Sequence, residues 1–397
     1  MDTLTTIGYG WLQLFMQPLL YLFLLYLVLL HHFRVKKERR QFHVRVYGFW
    51  RGVKQALLPG LAAGLLCSVV LVAAGVVLTE GALVLFACLY TLGMLTWRLR
   101  LLSPSFPLSA SVLLIYYGPP LHTGVNFLDR WMLQGQQTSL PSILILLGLL
   151  IVTEAVLIRA SAANTVPRLL PGKRGKSVGA HEARKFWLLP LVVLLPGDAW
   201  PSFSYWPLFG ADDGSFTVTV VPFGLAFYAL ITYQAPERAV RTVAKRQLTL
   251  GVIVLAAAVA ALYYADHAWI PPVTAVFALL WQVVWIIVDA QRRNHRSHYF
   301  APHSDSLVVV GVLPESPAEK LGIHVGERIQ KVNGVPVSSE ERFYEALQQN
   351  AAYCKMEVLN ESGEVRFVQG AVYQGTHHEL GLLFVDGMRE ASNAASR

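Results

Sequence analysis

Charge is what this chain has least of. Only 15% of its 397 residues are Asp, Glu, Lys or Arg, against 54% that are hydrophobic. A soluble protein of this length cannot bury that much apolar surface and stay dispersed, so the composition excludes an ordinary soluble enzyme. Cysteine is scarcer still. Cys67, Cys88 and Cys354 are the three present, with no paired spacing, which excludes a disulfide framework and a thiolate zinc site. Catalytic signatures are missing too. The nearest approach to a zinc-protease HExxH is His181-Glu182-Ala183-Arg184-Lys185, where lysine stands in place of the second ligand. No GxSG-like turn lies in an apolar segment, and no Gly-x-Ser-Gly-Gly is present for a trypsin-like triad. His31 and His32 lack further ligands at a defined spacing. The expectation is no catalytic residue, no metal and no cofactor. The first apolar block is preceded by Asp2 and by no Lys or Arg, so no cleavable leader is expected.

What is present is long apolar runs. They predict spans at 11–30, 57–78, 81–97, 102–121, 140–158, 186–209, 216–234, 247–265 and 270–290, each near the ~20 residues a helix needs to cross ~30 Å of hydrocarbon. The expected fold is an α-helical multi-pass domain of nine spans. The count falls to seven if the proline-rich segments 102–121 (Pro104, Pro107, Pro119, Pro120) and 186–209 (Pro190, Pro196, Pro201) do not cross. The net charge of +8 would suggest nucleic acid if it covered a soluble face. Instead the basic residues sit in alternate connections. These are 31–54, 98–100, 159–185, 236–246 and 291–300, while the intervening connections hold Arg130 as their one basic residue. Basic loops face the cytoplasm, so the N-terminus is expected outside and the C-terminal part inside.

Two polar features inside this region have competing readings. Glu154 lies within LLIVTEAVLIR. A carboxylate in a span suggests proton or ion coupling, but a site one turn from the helix end also permits contact with water or with Arg159. The run RVKKERRQFHVR can attract anionic lipid, or simply record topology.

After Phe300 the composition changes to short strand and turn signals. Strands are expected at 306–313, 327–332, 353–359, 364–373 and 381–385. Ser316, Pro317 and Gly322 mark both ends of a short helix, and Ser338-Ser-Glu-Glu341 opens another at 340–349. Asn333-Gly334 is a tight-turn signal. GVLPESPAEKLGIHVGERIQKVNGVPV, Gly311 to Val337, resembles a PDZ domain. PDZ domains place a glycine-containing carboxylate-binding loop before these strands, yet 298–305 holds none. ELGLLFV near the C-terminus supplies it if the fold is circularly permuted. The domains expected are therefore a transmembrane part (1–300), a small α+β PDZ-like part (301–386) and a flexible tail (387–397). An extended peptide would add to the strand edge at Leu380, Gly381, Leu382, Leu383 and Phe384, with Glu340 and Tyr344 along the helical wall. The bland alternative is a closing core strand with an empty groove.

Taken together, the spans, the basic patch after the first, WLLPLVVLLPGDAWPSF, YWPLF and the C-terminal HHELGLLFV resemble the MinJ-type cell-division topology proteins of Gram-positive bacteria. The resemblance implies a non-enzymatic scaffold at septa and poles. It also implies partners: the curvature-sensing DivIVA and the membrane ATPase MinD, with the bilayer itself and no nucleic acid. Two other readings stay open from the residues alone, a PDZ-regulated transporter or channel and a regulatory partner of a membrane protease.

Overall fold

The computed structural model describes residues 3–42, 44, 46–119, 124–172, 177–202, 206–208, 215–349, 353–360, 362–371 and 380–385. The expected tail at 387–397 lies outside them, as does Glu379 of the opening of the carboxylate loop. The chain begins with α1 (Thr3–Met16) and α2 (Pro18–Phe42), broken at Pro18, then α3 (Phe49–Ala74) and α4 (Glu80–Leu95). A short 3-10 turn (Leu99–Leu102) leads to α5 (Pro107–Tyr117), α6 (Asn126–Gln136) and α7 (Leu140–Ala160). Among the described residues five helices are long and apolar enough to cross a membrane: α2, α3, α7, α8 (Pro236–Tyr263) and α9 (Ile270–His295). The expected span at 102–121 shrinks to the 11 residues of α5, because Pro104 and Pro107 leave no helix before it.

Between α7 and α8 the expectation of helices fails. Residues 186–201 and 216–231 of the two expected spans lie in the arms of a β-hairpin, β2 (Ser177–Pro201) and β3 (Ser215–Ile231), with β1 (Val166–Pro171) on the other edge of β2. A fully buried strand and a buried helix have the same mean apolarity, so hydropathy cannot separate them. The β-branched run Thr217-Val-Thr-Val-Val221 and the prolines favour the strand.

Apolar surroundings admit a sheet only if its edges are satisfied. Pro190 pairs with Pro222, and Val192 with Val220. Val192 N–H points away from β3, donating to Ser68 Oγ of α3 at 2.8 Å. Backbone groups alternate sides along a strand, so Pro190 and Pro222 also direct their nitrogens outward, where a missing N–H leaves nothing unpaired. The outward carbonyl of Val220 accepts from Gln17 Nε2 at 2.9 Å, and that of Leu194 from Leu78 N–H at 2.9 Å. Gly60 and Gly64 let α3 lie directly on β2. A Cβ at either would meet the carbonyl oxygen of Leu188 or of Pro190. The fully buried Leu144, Leu147, Leu150 and Ile151 put α7 at the centre, and Gly148 and Gly251 bring it against α8.

The C-terminal unit holds β4 (Leu307–Val312), α10 (Pro317–Lys320), β5 (Arg328–Val332), β6 (Val335–Pro336), α11 (Glu340–Gln348), β7 (Tyr353–Leu359), β8 (Val365–Ala371) and β9 (Leu382–Phe384). The sheet order is β8-β7-β5-β4-β9, with β6 beside β5. Among the described residues β9 is therefore an edge strand, beside the first strand of the unit. Phe343, Met356, Leu380 and Ile329 are fully buried in its core.

Candidate functional site

The edge strand, the loop before it and α11 form the candidate site. Local chemistry positions each part. Ser316 Oγ caps α10 by accepting from Glu319 N–H, and Ser339 Oγ caps α11 by accepting from Arg342 N–H, both at 3.3 Å. The turn residue Asn333 fastens α11 to the sheet. Its Nδ2 donates to the Ala346 carbonyl and its Oδ1 accepts from Lys355 N–H, each at 3.0 Å. The Phe343 and Phe384 rings meet at 4.9 Å between centroids, setting the helix beside β9.

Backbone direction follows from the loop's anchors. The Gly381 carbonyl accepts from Leu313 N–H at 2.7 Å, and the Leu380 carbonyl from Ala318 N–H at 3.0 Å. In a trans peptide the N–H opposes the C=O, so the N–H groups of Gly381 and Leu382 point away from β4 and α10. The ladder agrees. Gly381 bonds to Leu313 just past β4 and Val385 to Val308 within it, and alternation turns the N–H and C=O of Leu382 and Phe384 to the edge that pairs with no other described strand. Gly381 adopts φ +82°, and a Cβ there would strike Ser316, so only glycine allows this loop. Side chains alternate as well. Leu382 and Phe384 enter the core with Leu380, while Leu383 and Val385 face the other way, toward Gly311 and Gly179 respectively. All five residues from Gly381 to Val385 are buried, and Glu340 and Tyr344 are half-buried on α11. The seven expected groove residues thus lie together on one strand, its loop and one facing helix.

Sequence reasoning missed the contact that holds this unit to the rest of the chain. Gly179 N–H donates to the Phe300 carbonyl at 3.0 Å, and Tyr299 N–H to the Thr232 carbonyl at 2.7 Å. Phe300, Val308, Val310 and Val385 form a buried cluster against the base of β2. His181, weighed from sequence only as a metal ligand, stacks on Phe300 at 5.1 Å. It donates from Nε2 to the Val310 carbonyl at 2.7 Å and accepts at Nδ1 from Thr165 Oγ1 at 2.8 Å. Burial pushes this imidazole down to about 4, opposed by its bond to Val310. It lies on a strand, so the helical spacing an HExxH needs is gone, and no group of metal ligands occurs among the described residues. No feature of sequence spacing pointed to this docking role.

Glu154 does not reach Arg159. Its Oε2 accepts from Ser103 Oγ and Gln247 Nε2, both at 2.9 Å. Gln282 extends the chain, donating to Gln247 Oε1 and Ser105 Oγ at 3.0 Å each. The adjoining cavity of about 90 Å³ is also lined by Arg100, Arg246 and Arg293. Asp198 is not part of it. Its carboxylate accepts from Ser215 Oγ at 3.5 Å, beyond the far end of the hairpin's long ladder.

These observations define a polytopic membrane protein that carries a C-terminal PDZ domain; the PDZ domain family profile matches residues 308–359. Along nearly its whole length the chain is similar to the cell division topological determinant MinJ of Bacillus subtilis, 37% identical over 96% of both chains. It therefore belongs to the MinJ family of cell division topological determinants. A probable MinJ of Lacticaseibacillus paracasei is 24% identical over 60% of this chain and 64% of its own. A putative serine protease, HhoA of Synechocystis, is 37% identical over 17% of this chain and 18% of its own, within the PDZ region alone.

Proposed function

We propose that this protein is a non-enzymatic membrane scaffold whose PDZ domain recruits partner proteins in division-site selection and in organising septum and poles. The observation that carries this reading is the pair of backbone rows on Leu382 and Phe384, turned away from β4 beside α11. A partner's extended tail would add there as a further strand. The N–H groups of Gly381 and Leu382 would receive its carboxylate, and Glu340 and Tyr344 would select its side chains. DivIVA-like and MinD-like proteins are the partners that the family resemblance implies.

The apolar body is read as nine passes. Five are the long helices α2, α3, α7, α8 and α9, two are completed by the flanking chain around the shorter apolar helices α4 and α5, and two are the hairpin strands. The N-terminus is outside and the PDZ domain in the cytoplasm. This assignment is supported by the basic segments. Lys37, Arg98 and Arg168 line one cavity, Arg246 and Arg293 a second, and Arg100 both, so all five segments meet at one end. The transporter reading needs Glu154 and Asp198 in one cavity, and Asp198 is not among the residues lining that of Glu154. The partial match to a protease covers the shared PDZ module and no catalytic segment.

The test uses α11, because substitution of Gly381 or of the core residue Leu382 would disturb the domain itself. Glu340→Lys and Tyr344→Ala in the full-length chain should lower partner co-purification about tenfold, a scale set by loss of one well-placed contact. Membrane levels should stay the same, with thermal stability lowered only modestly and only in Tyr344→Ala, whose ring packs partly on the core. Undiminished recovery of every partner with both variants would remove the groove from the mechanism.

A further inference from the structure

The cavity at the basic end that Lys37, Arg98 and Arg168 line has a composition that the scaffold role does not use. Its volume is about 510 Å³. Five cations from five separate elements or turns converge on it: Lys37 from α2, Arg98 from the turn after α4, Arg100 from the 3-10 turn, Arg168 from β1 and Arg184 from β2. One carboxylate lines it, Glu182, which is ion-paired with Arg168. Arg100 spends only Nε on the Tyr228 carbonyl, at 3.4 Å, and its guanidinium lies 5.2 Å over the Tyr228 ring. Lys37, Arg98 and Arg184 have no carboxylate partner among the described residues, and Arg184 Nε is buried without an acceptor. Gathering like charges around a partly dry space is costly unless an anion completes the site.

The remaining wall narrows the choice of anion. Trp97, Leu99, Leu101 and Ile286 are apolar or aromatic, and Trp97, just past the apolar helix α4, is 39% exposed. Such a tryptophan belongs at headgroup level. The cavity therefore offers guanidinium forks to a phosphate and an apolar wall to what is attached to it. Basic pockets at the cytoplasmic ends of membrane helices suit anionic headgroups.

We propose that this cavity binds the phosphate of an anionic phospholipid, with the acyl chains leaving past Trp97 and Leu101. Free phosphate shares the headgroup's chemistry but not the use of the apolar wall. The site is separate from the peptide groove and stands or falls independently of it.

The test titrates delipidated full-length protein in neutral detergent with phosphatidylglycerol, phosphatidylcholine or inorganic phosphate, following the thermal-unfolding midpoint. Lys37→Gln/Arg98→Gln removes two exposed rim charges without touching the buried wall. Lys36→Gln/Arg39→Gln removes two exposed charges from α2 that do not line the cavity. Phosphatidylglycerol should raise the midpoint of the wild type and of the K36Q/R39Q control. Its apparent affinity should fall about tenfold or more in K37Q/R98Q, as expected for two basic residues close to an anionic group. Equal response to phosphatidylcholine, equal loss in both double variants, or a response to inorganic phosphate that matches that to lipid would overturn the proposal.

Discussion

Ser68 shows how single side chains make a sheet tolerable in an apolar setting. Its hydroxyl accepts from Val192 N–H and donates to the Gly64 carbonyl at 2.7 Å. Ser68→Ala therefore strands a buried strand N–H and should cost about 1–3 kcal/mol, read as a lowered unfolding midpoint in detergent. Gly64→Leu should be worse, since the side chain would have to displace the backbone of Pro190. Its expected signature is loss of the folded protein from membranes. Pro190 was visible in the sequence, where it counted against a crossing helix, whereas Pro222 lay unweighed in a segment expected to be a helical span. Their meaning became legible only with a register that sets them opposite one another at outward positions. Gly381 was the reverse case. A glycine ahead of an apolar strand already suggested a backbone-lined loop, and the positive φ supplies the reason.

At the scale of elements, the C-terminal unit was far more legible than the membrane body. Its strands are short, alternate in polarity and end at turns or caps, so β5, β7 and α11 fall within a residue or two of their expected bounds. The hairpin had no such punctuation. Its arms are apolar on both faces because helices cover one side and the bundle core the other, which erases the two-residue period that marks a strand. The joint between the two units also rests on elements far apart in sequence, β2 and β4, and it carries a pH dependence. His181 is neutral in the docked form down to about 4, whereas a released imidazole takes a proton near 6.5. Between these values the released form binds a proton that the docked form refuses, so docking weakens as pH falls from about 6.5 toward 4 and is unaffected above that window. Limited proteolysis of the 296–306 connection should speed up at pH 5 relative to pH 7.5, after correction for protease activity. His181→Phe should be cut readily at both pH values. An unchanged pH profile in that variant would remove His181 from the docking switch.

For the whole molecule, the decisive question is which ends share a side. Hydropathy and charge predict an even alternation; five helices among the described residues are long enough to cross, and the alternation holds if the short helices α4 and α5 and both arms of the hairpin cross as well. Thiol labelling of intact cells tests this. In a background lacking the native cysteines, Asp198→Cys should react with an impermeant reagent. Ser362→Cys, on an exposed turn of the PDZ domain, should react only after lysis. Labelling of both in intact cells would reverse the assignment of the PDZ domain and with it the scaffold reading.

The connection from α9 to β4 sets the reach of that domain. It covers residues 296–306 and is pinned at Tyr299 and Phe300. Even fully released and stretched, so short a leash spans no more than about 40 Å. A ligand deep in the cell interior is beyond it. The domain can sample only a thin shell next to the bilayer, and a protein already adsorbed to that surface meets it by searching in two dimensions.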